Sequence, residues 1–125
     1  MPETKTEINL STDAKLVSWT LLSGESGIPL LASDFPDKCV VVRGTFGAIL
    51  TIQGANVEGM PPAAAWQTLN DPQGNALTFT AARVEPISEN PYQLRPTVSG
   101  GDAGTSIIVE LHATKATPGV RRWNK

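Results

Sequence analysis

Cysteine is almost missing from this chain: Cys39 is the only one in 125 residues. No intrachain disulfide can form, and no zinc site can be built from cysteines. His112 is likewise the sole histidine. No apolar run approaches the roughly 20 residues that a membrane helix needs. The start, Met1-Pro2-Glu3-Thr4-Lys5, lacks the apolar stretch of a signal peptide. The expectation is a chain folded in a reducing, cytoplasm-like setting, with no membrane partner. Charge of one sign is lacking too. The net charge is −2, which gives the surface no broad pull on nucleic acid. No P-loop, dinucleotide fingerprint or HExxH pattern occurs, and no cofactor is expected.

What the chain does have is punctuation. Eleven glycines and ten prolines are scattered through it, as suits many short strands joined by turns. Residues 15–22 alternate, with Val17, Trp19 and Leu21 on one face. Residues 39–43 are rich in β-branched side chains and read as a strand opened by a buried Cys39. Gly44 and Gly47 bracket a tight reversal or bulge. Ala48, Leu50 and Ile52 share a face in the next strand, and Ala63-Ala64-Ala65 has room for one helical turn. Residues 66–69 read as a brief strand, and 77–82 as a half-buried one with Leu77, Phe79 and Ala81 on one side. Residues 92–98 alternate Tyr92, Leu94 and Val98 against Gln93, Arg95 and Thr97. A hairpin loop is expected at residues 99–104. The last strand turns Ile107, Val109, Leu111 and Ala113 inward and Glu110, His112 and Thr114 outward.

No amphipathic helix of ordinary length is present. The pattern predicts an all-β, antiparallel sandwich of jelly-roll or immunoglobulin-like type, with seven or eight short strands. Three parts follow: an extended N-terminal arm over residues 1–14, a sandwich over 15–114, and a basic tail over 115–125.

Chemistry is sparse. A Cys39–His112 pair is the one conceivable nucleophile and base. Paired carboxylates able to work as acid and base could come from Asp34 with Asp37, Glu85 with Glu89, or Asp102 with Glu110. All of these sit in or beside turns, where carboxylates usually meet water or cap backbone amides. The run from Asn70 to Asn75 imitates a calcium loop only loosely. The tail carries Arg121-Arg122-Trp123, read first as a solubilising end, with docking on a neighbouring protein or weak nucleic-acid contact as the alternatives. Trp19, Trp66, Tyr92 and Trp123 are the aromatics that could stack on a sugar ring. The expectation is a binding protein, not an enzyme.

Six segments in register, 44–56, 66–69, 74–78, 92–96, 98–101 and 107–111, resemble small structural proteins of tailed bacteriophages, above all head decoration (cement) proteins. The likeness spans a little over half of the chain, and the residues 60–65 before Trp66 depart from it. What the resemblance implies is a virion component on the capsid surface, assembled in a host cytoplasm. Such a protein clamps major capsid protein subunits and associates with itself as a dimer or trimer. The straps would be the two ends, with Thr4, Lys5, Ile8, Leu10, Arg121, Arg122 and Trp123 as partner-binding residues. The alternatives are a tail, fibre or baseplate component, and a carbohydrate-binding β-sandwich module.

Overall fold

The structure, a computed structural model, describes residues 6–11, 14–31 and 33–115. Among the described residues ten strands are present: β1 Thr6–Ser11, β2 Ala14–Leu22, β3 Leu30–Leu31, β4 Asp37–Thr45, β5 Ala48–Ala55, β6 Gln67–Thr68, β7 Thr78–Phe79, β8 Arg83–Ile87, β9 Gln93–Gly100 and β10 Ser106–Thr114. All pairings are antiparallel, and the strands form two sheets. One runs β1-β2-β10-β4-β8, the other β3-β9-β5-β6, with β7 also on β5. The expected all-β, two-layer antiparallel architecture is present.

The connections differ from the expected hairpins. From β2 to β5, and again from β7 to β10, every step crosses from one sheet to the other. The turn at Gly44–Gly47 is therefore a corner between layers, and so is the loop after Gly100. Gly44 takes φ +126°, and a Cβ there would stand 2.3 Å from the Ser106 carbonyl oxygen, so the corner admits only glycine. Strands then pair in nested fashion, β2 with β10, β3 with β9 and β4 with both β8 and β10.

Alternation sets what lies between the layers. Val17, Trp19 and Leu21 of β2 and Ile107, Val109, Leu111 and Ala113 of β10 are each at most 1% exposed, as the period-two pattern predicts. Leu50, Ile52, Phe79 and Leu94 close the core from the other sheet. Each such side chain contributes about 1.5–3 kcal/mol on burial, which makes this layer the main source of stability. A 3-10 turn at Ala63–Ala65 lies where a helical turn was expected.

Four local readings need correction. β4 starts at Asp37 and turns Lys38, Val40 and Val42 inward, so Cys39 is on the outer face and half-buried, not in the core. Ala81 is exposed, and only Thr78–Phe79 of the 77–82 stretch pairs as a strand. Gln93 is buried because its amide finds two carbonyl partners. Residues 6–11 pair with β2, for example Ile8 opposite Leu16. Pro86 is tolerated within β8 because that strand is a sheet edge.

Candidate functional site

The space between the sheets is filled with apolar side chains, so any site must lie outside it. Among the described residues no group of three His, Cys, Asp or Glu comes together to hold a metal ion. Of the expected reactive sets, the fold brings Cys39 and His112 together and engages Glu85, Glu110 and Asp102 elsewhere. Cys39 stands opposite His112 across β4 and β10, on an open sheet face and not in a cleft. Burial pushes its thiol above the ordinary range, and the carboxylates of Asp37 and Glu85 add to this, the reverse of what a nucleophilic thiolate needs. Glu85 pairs with Arg83 at 2.8 Å, and Glu110 pairs with Arg43 at 2.9 Å. Asp102 takes the Gly104 amide at 2.9 Å. Asp71 accepts the Gln73 and Asn75 amides, both at 2.9 Å. Those bonds hold its carboxyl below the ordinary value and make the 70–75 loop an Asx-type turn.

A concave region lies at the end of β5, where the chain leaves the sheet. Its geometry begins with Gly54. A Cβ at Gly54 would meet Pro91 Cγ at 2.6 Å and Leu69 Cδ2 at 2.9 Å. The missing side chain lets the 88–92 segment pack against the strand. Glu89 locks that segment: its two oxygens accept the backbone and side-chain nitrogens of Asn70, each at 2.8 Å. Trp66 is buried beneath Arg95, whose guanidinium lies 4.3 Å from the ring centre. This anchors the start of β6.

The result is a cleft of about 380 Å³ between the end of β5, β6 and Pro91. Ala55, Leu69 and Pro91, all buried, form its floor, and the exposed Asn56, Gln67 and Thr68 give it polar groups. Asn56 Oδ1 accepts the Tyr92 amide at 2.8 Å, which leaves its NH2 group unpartnered among the described residues. The Gln67 and Thr68 side chains are exposed.

Asn90 forms another wall of the cleft and is held from behind. Its Nδ2 donates to Ser33 O at 2.9 Å, and its Oδ1 accepts from Lys38 Nζ. Lys38 is 2% exposed. Burial lowers its pKa from 10.5 to about 8, against the raising effect of Asp37.

A second hollow of about 330 Å³ lies across the Pro91–Tyr92 step, lined by Leu31, Met60, Pro61 and Tyr92 among others. Leu31 is 58%, Met60 89% and Tyr92 37% exposed. The loop carrying Met60 is fastened by Gln93, whose Nε2 donates to Val57 O at 2.8 Å and Gly59 O at 2.7 Å.

Of the partner-binding residues expected from sequence, Thr4, Lys5, Arg121, Arg122 and Trp123 lie outside the described residues. Ile8 and Leu10 belong to β1. Of the aromatics, Trp19 is interior, its Nε1 donating to Ile28 O at 2.9 Å. Trp66 is covered, Trp123 is outside the described residues, and Tyr92 faces a hollow. Asn56, Gln67 and Thr68 escape sequence reasoning. They sit on a loop and a two-residue strand, where no periodicity marks them.

No protein-family model matches the chain, and no curated protein matches it in sequence. In fold it is similar to the SPBc2 prophage-derived protein YomS, at TM-score 0.57 and 9% identity over 92% of this chain and 96% of that one. It is also similar to a cupin domain from Bordetella pertussis, at TM-score 0.50 and 16% identity over 91% and 94% of the two chains. A cupin superfamily protein from Desulfitobacterium hafniense aligns at TM-score 0.51 and 10% identity over 92% and 79%. At these identities what is shared is the fold. These solved structures are a prophage-derived protein and two cupins, none of them named a head decoration or tail protein, and this corrects the virion and capsid reading. The residues behind that reading, 44–56 through 107–111, encode strand alternation and glycine corners. Such a pattern specifies layers, and many unrelated functions use the same layers.

Proposed function

We propose that this chain is a non-catalytic jelly-roll binding domain that takes a neutral carbohydrate in the cleft between β5, β6 and Pro91. The jelly-roll assignment is supported by the sheet-crossing connections and the nested pairing of early with late strands. An immunoglobulin-like sandwich would place its last two strands side by side in one sheet, whereas β9 and β10 lie in different sheets.

One observation carries the carbohydrate reading. The cleft presents the exposed amide and hydroxyl groups of Asn56, Gln67 and Thr68 over a floor of buried Ala55, Leu69 and Pro91. Sugar hydroxyls both donate and accept, which amides and hydroxyls answer in kind. Glu89, the carboxylate in the cleft, has both oxygens engaged by Asn70 and serves as a brace. The reading against catalysis rests on the lining of the cleft: among the described residues no acid faces a base across it.

The test is a glycan array probed with the purified chain, followed by amide NMR titration with the glycans retained. Shifts centred on Asn56, Gln67 and Thr68 are expected, with about tenfold weaker binding in Gln67→Ala. Retention of no neutral glycan, or shifts confined to other surfaces, would overturn the proposal.

A further inference from the structure

We infer that the cleft is half of a longer groove, and that a neutral oligosaccharide crosses from it over Pro91 and Tyr92 into the Leu31–Met60–Tyr92 hollow. The inference rests on the carbohydrate reading of the cleft and extends it from a single ring to a chain.

Adjacency comes first. Pro91 lines the cleft and Tyr92, the next residue, lines the hollow. Asn56 lines the cleft and accepts the Tyr92 amide at 2.8 Å. The wall between the two hollows is therefore one hydrogen-bonded step in the chain. Gln93 then fastens the far side through Val57 O and Gly59 O. With both sides tied, the spacing of the hollows is set before any ligand arrives, which lowers the entropic cost of binding.

Chemistry comes second. The cleft offers amides and a hydroxyl, which read the hydroxyl rim of a sugar. The hollow offers a tyrosine ring, a leucine and a methionine, which take a C–H face. No described residue lining the hollow is charged. A sugar acid placed there would lose hydration with nothing to replace it, so the occupant is uncharged. Met60 also gains a reason for its position. It is 89% exposed on a fastened loop, where it adds nothing to the core. Each hollow is near the lower end of the roughly 300–1,000 Å³ usual for small-ligand sites, and together they suit a chain of rings.

The experiment is a titration of the full chain with a monosaccharide, disaccharide and hexasaccharide of one neutral sugar retained on the array. Heat and the Met60 methyl resonance are followed together. Affinity is expected to rise about tenfold or more from monosaccharide to hexasaccharide, with the Met60 methyl shifting only for the longer ligands. Tyr92→Ala is expected to weaken the hexasaccharide more than the monosaccharide, and Tyr92→Phe to restore it. Length-independent affinity with Gln67 and Thr68 shifting and Met60 still would overturn the groove while leaving the cleft in place. Shifts at the hollow alone would overturn the cleft and the groove that depends on it. No shift at either with any neutral sugar would overturn both.

Discussion

The interior of the sandwich and the end formed by residues 54–61 and 88–93 are built on opposite plans. Inside, apolar side chains from both sheets touch one another, and only the edges of the layer carry polar groups. At the end, polar side chains do the fastening: Glu89 on Asn70, Asn56 on Tyr92 and Gln93 on two carbonyls. There the apolar side chains Leu31, Met60 and Tyr92 are the ones that face water. One region holds the fold by burial. The other holds a surface open by hydrogen bonds. Substitutions should therefore divide into those that change stability and those that change binding.

The sharpest way to break this division is Trp19→Ala. Loss of an aromatic at 1% exposure is expected to cost about 3–5 kcal/mol, read as a fall in the urea midpoint. A loss under about 1 kcal/mol would mean that the interior is not the packed layer described. Gly44→Ala follows, since φ is +126° and the new Cβ would crowd the Ser106 carbonyl. Backbone strain alone is expected to remove about 1–3 kcal/mol, measured by the same denaturation.

Gln93→Leu tests the boundary between the regions. It strands the Val57 and Gly59 carbonyls, so about 1–2 kcal/mol of stability is expected to go. Amide exchange at residues 57–60 should quicken at the same time. Unchanged exchange would show that the loop is held by something else.

A gentler effect concerns pH. Lys38 has a folded pKa lowered to about 8 from an ordinary 10.5. Between these values the unfolded chain holds a proton that the folded chain does not, so stability should rise with pH across that window. Cys39, whose thiol is raised, acts in the opposite sense. A Cys39→Ser background therefore isolates the slope, and Lys38→Met should abolish it. The smallest change in stability is expected for Gln67→Ala, within about 0.5 kcal/mol, although glycan affinity falls. A stability loss well beyond that would blur the division between the two regions.

Much of the fold was legible from alternation. Val17, Trp19 and Leu21, and Ile107 through Ala113, are placed by period alone, because one face of each strand must leave water. The same rule read one residue earlier would have put Lys38 inside with Val40 and Val42. A lysine at a core position ran against its charge, and only the Asn90 partner makes its place intelligible. Gln93 misled in the same way. Its burial depends on two carbonyls supplied by a loop more than thirty residues away in sequence.

By itself the sequence determined the all-β class, the inward faces of β2 and β10 and most of the turns, since these follow from local sterics and from neighbours two residues apart. The tertiary structure alone decided that successive strands change sheets and that Asn56, Gln67 and Thr68 share one cleft. It also decided that Cys39 meets His112 on an open face. Those outcomes depend on which distant segments pair, and pairing is set by the packing of the whole layer, which no local pattern records.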